Sequence, residues 1–204
     1  MTTTVAKSEI TLKGSTAIVT EFFGYAVNSI IFQRGLYPSD TFKRVSKYGL
    51  TMLISSDDGL NAYISQVMGQ LNKWLLTNDV EKLVLVITGA DSGQTLERWV
   101  FNVETSDVEN LDPDKPRANK PEKEIAAEIS GIIRQITGSV TFLPLLQEAC
   151  TFDLLVYTRN SAEVPLEWED SDPKYISNST EVTLRSFTTK VHKVDAMVSY
   201  RAPV

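Results

Sequence analysis

The chain has 204 residues, with one cysteine, Cys150, and one histidine, His192. Those counts exclude an internal disulfide and a cysteine-based zinc site within one chain, and they leave a Ser-His or Cys-His mechanism a single base to use. Apolar residues at 42%, charged residues at 23% and a net charge of −6 describe a globular chain able to bury its own core, with an acidic balance that argues against direct nucleic-acid binding.

Residues 10–14, Ile10-Thr11-Leu12-Lys13-Gly14, read as a short extended segment, and Ser15 offers an N-cap. Apolar residues at Ile18, Val19, Phe22, Phe23, Ala26, Val27, Ile30 and Ile31 then have the spacing of a helix with a wide buried face. Gly35 stops it, and Tyr37-Pro38-Ser39-Asp40 is turn chemistry. Thr41–Lys47 suits one helical turn, and Leu50–Ile54 is too short to separate strand from buried helix. From Asp58, the stripe Leu60, Tyr63, Ile64, Val67, Met68, Leu71, Trp74 and Leu75 marks a second amphipathic helix, its apolar face core. No apolar run reaches the roughly 20 residues of a membrane span. The first residues hold no signal-peptide core, and the lone cysteine suits a reducing cytosol or nucleus.

Leu83–Thr88 is a β-branched strand, Gly89–Gly93 a hairpin turn, and Thr95–Val103 the return strand. On that return strand Trp99, Phe101 and Val103 share one face, and Arg98 and Asn102 the other. Residues 105–122, with three prolines and many charges, read as a mobile loop. A third helix follows, with Ile125, Ile129, Ile132, Ile133 and Ile136 in register and Gly138 as its stop. Thr151–Thr158 alternates as a strand. Residues 159–180 are polar but carry Trp168 and Tyr175. The tail, Glu181–Tyr200, is β-prone with changing phase: Val182 and Leu184 even, Phe187 and Val191 odd, Val198 and Tyr200 even. Each change needs a bulge or a turn. The order helix, helix, hairpin, helix, strands predicts an α+β fold, three helices packed on a mainly antiparallel sheet.

Catalytic motifs are few. His192 lacks an accompanying Ser or Cys elbow and reads as a hydrogen-bonded structural histidine; Cys150 reads as a buried small hydrophobe. The run Glu167-Trp168-Glu169-Asp170-Ser171-Asp172 lacks the spacing of a calcium loop, and Gly89–Gly93 matches no phosphate-binding loop. A small hydrolase or transferase using His192 and a static β-scaffold are the alternatives from other classes. Arg134-Gln135 beside the isoleucine stripe, followed by Thr141-Phe142-Leu143-Pro144, suits either an interface hot spot or a solvated helix face. The β-prone tail suits either a final hairpin or a segment that pairs in more than one place.

Over nearly its whole length the sequence resembles the small single-domain members of the HORMA family, the mitotic-arrest-deficient group of the spindle assembly checkpoint. The resemblance is carried by Ile10–Ser15, Phe22-Phe23 through Asn28-Ser29-Ile30, Gln33-Arg34-Gly35-Leu36-Tyr37-Pro38 and Lys47-Tyr48-Gly49-Leu50. It continues in Leu96-Glu97-Arg98-Trp99, Arg134-Gln135-Ile136-Thr137, Thr141–Pro144, Leu184–Thr189 and His192-Lys193-Val194. It implies one HORMA domain over 1–204, with a core over about 10–158 and a mobile C-terminal safety belt over about 159–204. It also implies a non-enzymatic, metamorphic switch with no cofactor, which takes a partner peptide as an added strand and closes the belt over it. The expected receiving edge is Thr151, Phe152, Asp153, Leu154, Leu155, Val156 and Tyr157. The expected belt residues are Val164, Trp168, Tyr175, Ile176, Val182, Leu184, Phe187 and His192, and Arg159–Ala162 the hinge. Leu12 would anchor an N-terminal segment that gives way when the belt crosses the sheet.

The dimer surface carries over onto Gln33, Arg34, Arg134, Gln135, Thr141, Phe142 and Arg185. Implied partners are the activator subunit of the anaphase-promoting complex, a coiled-coil kinetochore recruiter, an open or closed second copy, the kinase-family protein of the mitotic checkpoint complex, and a remodelling AAA ATPase with its HORMA adaptor. Nucleic acid and membrane insertion are not expected. Nucleus, kinetochore, cytoplasm, spindle region and nuclear envelope are the implied places. Asp195-Ala196 stands where some members carry a serine, so phosphate control at that place is not implied for this chain. Other HORMA roles, a polymerase-zeta accessory subunit or a meiotic axis protein, fit Ser186–Val194 less well.

Overall fold

The computed structural model describes residues 9–106, 108–109 and 111–202. Residues 1–8, 107, 110, 203 and 204, onto which the expected loop and belt also extend, lie outside the described residues. In chain order the elements are β1 (Glu9–Thr11), α1 (Leu12–Gln33), β2 (Phe42–Lys47), β3 (Leu50–Ser55), α2 (Asp58–Leu76), β4 (Val80–Gly89) and β5 (Thr95–Thr105). β6 (Pro116–Asn119), α3 (Glu122–Gly138), β7 (Cys150–Thr158), β8 (Ser179–Thr188) and β9 (His192–Arg201) complete it. The main sheet has the order β7-β4-β5-β9-β8, antiparallel throughout. All three helices lie on one face of it, as the apolar stripes require. The core there includes Phe22, Phe23, Leu71, Leu85, Trp99, Phe101, Ile132 and Phe187.

Helix α1 is the central packing element. Phe22 meets Phe101 of β5 at 5.8 Å and Phe187 of β8 at 4.8 Å between ring centroids. Edge-on pairs of this kind add about 0.5–1.5 kcal/mol each beyond the area they bury. Length and composition would also let α1 cross a bilayer, contrary to the sequence reading. Its most apolar window is 61% buried inside the protein, which accounts for its apolarity.

Four local expectations are corrected. Helix α1 begins at Leu12, not after Ser15, because the Thr11 hydroxyl accepts the Gly14 N–H at 3.0 Å and supplies the cap one turn earlier. Leu12 is therefore a fully buried helical residue, not part of an extended segment. The stretch 41–47 is not helical beyond a 3-10 turn at Ser39–Thr41. It forms β2, which pairs with β3 as a hairpin turned by Tyr48 and Gly49 at φ of 53° and 70°. The expected loop over 105–122 contains β6, which pairs with β1. Cys150 is half-buried rather than buried, since it opens β7 next to an exposed loop.

The phase changes of the tail are located. The first is an irregularity in the β8–β9 register between Thr183 and Ser186. The second is the hairpin turn between β8 and β9, where Lys190 takes φ of 67°. Both strands belong to the main sheet, and Leu184, Phe187, Val194, Ala196 and Val198 belong to the core.

Candidate functional site

Strand β7 pairs with β4 along one edge and is last in the sheet. The Leu154 N–H points away from β4, because the Tyr63 hydroxyl of α2 accepts it at 3.2 Å. In an antiparallel ladder that orientation recurs at every second residue. Phe152, Leu154 and Val156 thus turn their main-chain groups outward, and Asp153, Leu155 and Tyr157 turn theirs toward Val86, Val84 and Lys82 of β4. Side chains alternate likewise. Phe152, Leu154 and Val156 pack on the helical core, and Leu155 and Tyr157 flank Val84, Val86 and Val100 on the outer face. Together with Thr151, the seven edge residues read from sequence therefore form one strand, and of the outward main-chain groups of Phe152, Leu154 and Val156 the Leu154 N–H is taken, by the Tyr63 hydroxyl; such an edge is a template for strand addition.

Residues 159–178 wrap around this edge. The expected hinge is tied down, with Arg159 N–H to Asp79 O at 2.8 Å and Ala162 N–H to Arg159 O at 3.0 Å. On the helical side the Trp74 indole donates to Glu163 O at 2.9 Å, and the Trp74 and Trp168 rings meet edge-on at 4.9 Å. The chain then crosses β7. Lys174 reaches Asp153 at 3.4 Å, and Tyr175 lies against Arg98 on the outer face. Ile176 is buried, and Val164 stays exposed. Lys174 and Asn178, at φ of 51° and 55°, make the bends. A cleft of about 220 Å³ remains between Leu154–Tyr157 and the crossing residues Trp168, Glu169, Asp170, Ser171 and Pro173. Of the remaining expected belt residues, Val182, Leu184 and Phe187 lie in β8 and His192 opens β9.

The expected dimer residues divide. Arg134, Thr141, Phe142 and Arg185 are exposed, and Gln33 and Gln135 half-buried. The Gln135 Oε1 accepts the Arg185 N–H at 2.6 Å, so α3 and β8 present these residues together. Phe142 stands 6.4 Å from Tyr200. Arg34 is a correction. Its side chain is 4% exposed and pairs with Glu97 through Nη2 at 2.5 Å, so it holds α1 to β5 and is not part of the exposed face. Burial pushes the Glu97 carboxyl up, against the lowering by Arg34 and Trp99.

The β8–β9 tip is pinned to both flanking helices. Lys120, itself buried, donates to Glu128 of α3 at 2.6 Å and to Thr188 O at 2.7 Å, and Glu128 accepts the Thr188 N–H at 3.0 Å. His192 is 1% exposed, with Nδ1 at 2.7 Å from the Ser15 hydroxyl of α1. Burial, with Arg117 nearby, pushes its pKa from 6.5 down to about 4. A depressed folded value means that the unfolded chain binds the proton more tightly. The contribution is therefore whole above pH 6.5 and is lost as pH falls toward 4. Urea unfolding should show about 3 kcal/mol lost across that window, and His192→Gln should remove this slope. An equal slope in the variant would assign it to other groups.

Three residues of this site escape sequence reasoning. Tyr63 and Trp74 sit in an apolar helical stripe and read as core. Their polar atoms, which cap Leu154 and hold Glu163, are the only trace of another role. Lys120 follows a charged, proline-rich stretch, and nothing in its neighbours marks it as buried. Among the described residues no group of three or more His, Cys, Asp or Glu is placed to hold a metal.

Comparison with known proteins places this geometry. A model of the HORMA domain matches residues 15–192. The mitotic spindle assembly checkpoint protein MAD2A of Dictyostelium discoideum is 59% identical over 196 residues, covering 96% of this chain and 95% of its own. A chain in a crystal structure of the mitotic checkpoint complex superposes with a TM-score of 0.84 at 50% identity, covering 93% of this chain and 99% of that one. C. elegans HTP-2, bound to the HIM-3 closure motif, shares the fold with a TM-score of 0.73 at 12% identity, over 95% of this chain and 92% of its own.

Proposed function

We propose, for a chain that belongs to the HORMA domain family and within it to the spindle assembly checkpoint proteins, a peptide clasp closed by a two-state belt. The checkpoint role is that of the family. The observation that carries the clasp is the unpaired outward edge of β7, bonded to no neighbouring strand, with residues 159–178 passing outside it. A segment added to β7 would be enclosed by covalent chain on both faces of the sheet, so it could leave only when the belt opens.

The position of β8 and β9 on the β5 side, with β1 paired to β6, supports reading this arrangement as the closed state that the family resemblance implies. In the open state the β8–β9 hairpin would lie over β7 instead. That transfer breaks the Lys120–Glu128–Thr188 and Ser15–His192 contacts, and it should be slow for that reason. The partners this reading favours are the activator subunit of the anaphase-promoting complex and a coiled-coil kinetochore recruiter, each offering an extended segment. Glu169 and Asp170 on the cleft suit a segment with basic flanks. Arg134, Thr141, Phe142 and Arg185 supply an exposed face for an open or closed second copy. Action at kinetochores, and recycling by an AAA ATPase with its adaptor, complete the proposal.

The purified protein should separate on ion exchange into two slowly interconverting species. A peptide from the activator subunit should collect it in one. A single species with and without that peptide would contradict the switch.

A further inference from the structure

Arg98 lies on β5 with its side chain on the sheet face opposite the helices, and it is only 6% exposed. Among the described residues no carboxylate pairs with it, and its buried Nε has no acceptor. A buried guanidinium ordinarily takes an acid as partner. Here two tyrosines stand in that place. The guanidinium carbon is 4.6 Å from the centroid of the Tyr175 ring, and Nη2 is 3.3 Å from the Tyr157 hydroxyl. Tyr157 belongs to the receiving strand and Tyr175 to the segment that crosses it. Tyr175 is 66% exposed, so the core does not hold it. Beneath this group Val84, Val86 and Val100 form a small apolar strip of their own, apart from the main core.

We propose that Arg98 is a positioning residue for the belt, a fastening that ties its outer half to β5 through Tyr175 and sets how often the belt opens. This rests on the clasp reading above, but the fastening exists without any ligand. Opening can therefore be read on the unliganded protein. The peptide bond after Lys174 is a tryptic site beside the fastening, and its side chain is partly accessible while paired to Asp153. The bond must lift from the sheet to enter a protease, so its cleavage follows the open population.

In limited trypsin digestion followed by mass spectrometry, the unaltered protein is cut slowly after Lys174. Tyr175→Ala and Arg98→Gln each speed that cut about tenfold, the loss of a partly desolvated cation–π contact. Tyr175→Phe keeps the ring and stays within about twofold. The cut after exposed Arg44 in the β2–β3 hairpin serves as reference and does not change. Equal rates after Lys174 in all four proteins would overturn the proposal. Equal acceleration at both sites would also overturn it, since that reports general loosening. If the rates change as stated while the unaltered protein captures no peptide, the clasp reading fails and the fastening stands.

Discussion

Arg34→Ala should lower the unfolding free energy by about 3–5 kcal/mol, among the largest losses expected of any single substitution here. The Arg34 side chain is 4% exposed and that of Glu97 2%. Two guanidinium donors reach the carboxylate, Nε at 3.1 Å and Nη2 at 2.5 Å, and Nη2 also reaches Pro144 O at 2.5 Å. Trp99 adds its indole N–H to Glu97 at 3.2 Å. Removing the arginine leaves a buried carboxylate with one neutral donor. Burial already pushes that carboxyl up, so the variant would hold the Glu97 proton more tightly than the unfolded chain does. A raised folded value makes the protonated form the stabilised one, so the variant's deficit should grow as pH rises above the ordinary carboxylate range. Arg34→Met with Glu97→Leu should fall closer to the unaltered protein, because neither charge is then stranded. Urea unfolding at neutral pH decides. A loss below about 1 kcal/mol, the range of solvated ion pairs, would return Arg34 to the exposed dimer face.

Val156→Pro should reduce peptide capture about 100-fold while leaving the fold in place. Val156 turns its N–H away from β4, so proline there removes no ladder bond, and edge strands tolerate proline at such positions. An added strand loses that donor, and the ring displaces its neighbour in the ladder. Two main-chain bonds at up to about 1.5 kcal/mol each make about 3 kcal/mol, or roughly 100-fold in Kd. Leu155→Pro tests the alternation. Leu155 faces Val84 in the β4 ladder, so this change should damage stability first.

The three helices, β5 and β7 were legible because their apolar spacing follows one period each, and β4 because a continuous β-branched run ends in a glycine turn. The phase changes of the tail were legible too, since Leu184 and Phe187 cannot share a face without the irregularity found between them. The start of α1 was not. Thr11 and Ser15 are both good caps, and only the paired β1–β6 strands favour the earlier one. The order of the sheet was not legible either, because nothing local in β9 says that it pairs with β5. Arg34 and Arg134 look alike in sequence. One lies opposite Glu97 and is buried, the other opposite solvent, and that difference is set by residues about 60 positions apart. Arg98 reads as the polar face of a strand; the belt that covers it comes more than 70 residues later.

The central claim is that a partner segment adds to the outward row of β7 beneath residues 159–178. Residue-resolved amide exchange, with and without a peptide from the activator subunit, tests it most directly. New protection is expected at Phe152 and Val156 and across the belt, with a smaller gain at Leu154, whose N–H already meets the Tyr63 hydroxyl. Asp153, Leu155 and Tyr157, already bonded to β4, should change little. Protection confined to β8, or none at the β7 edge while peptide is bound, would contradict it.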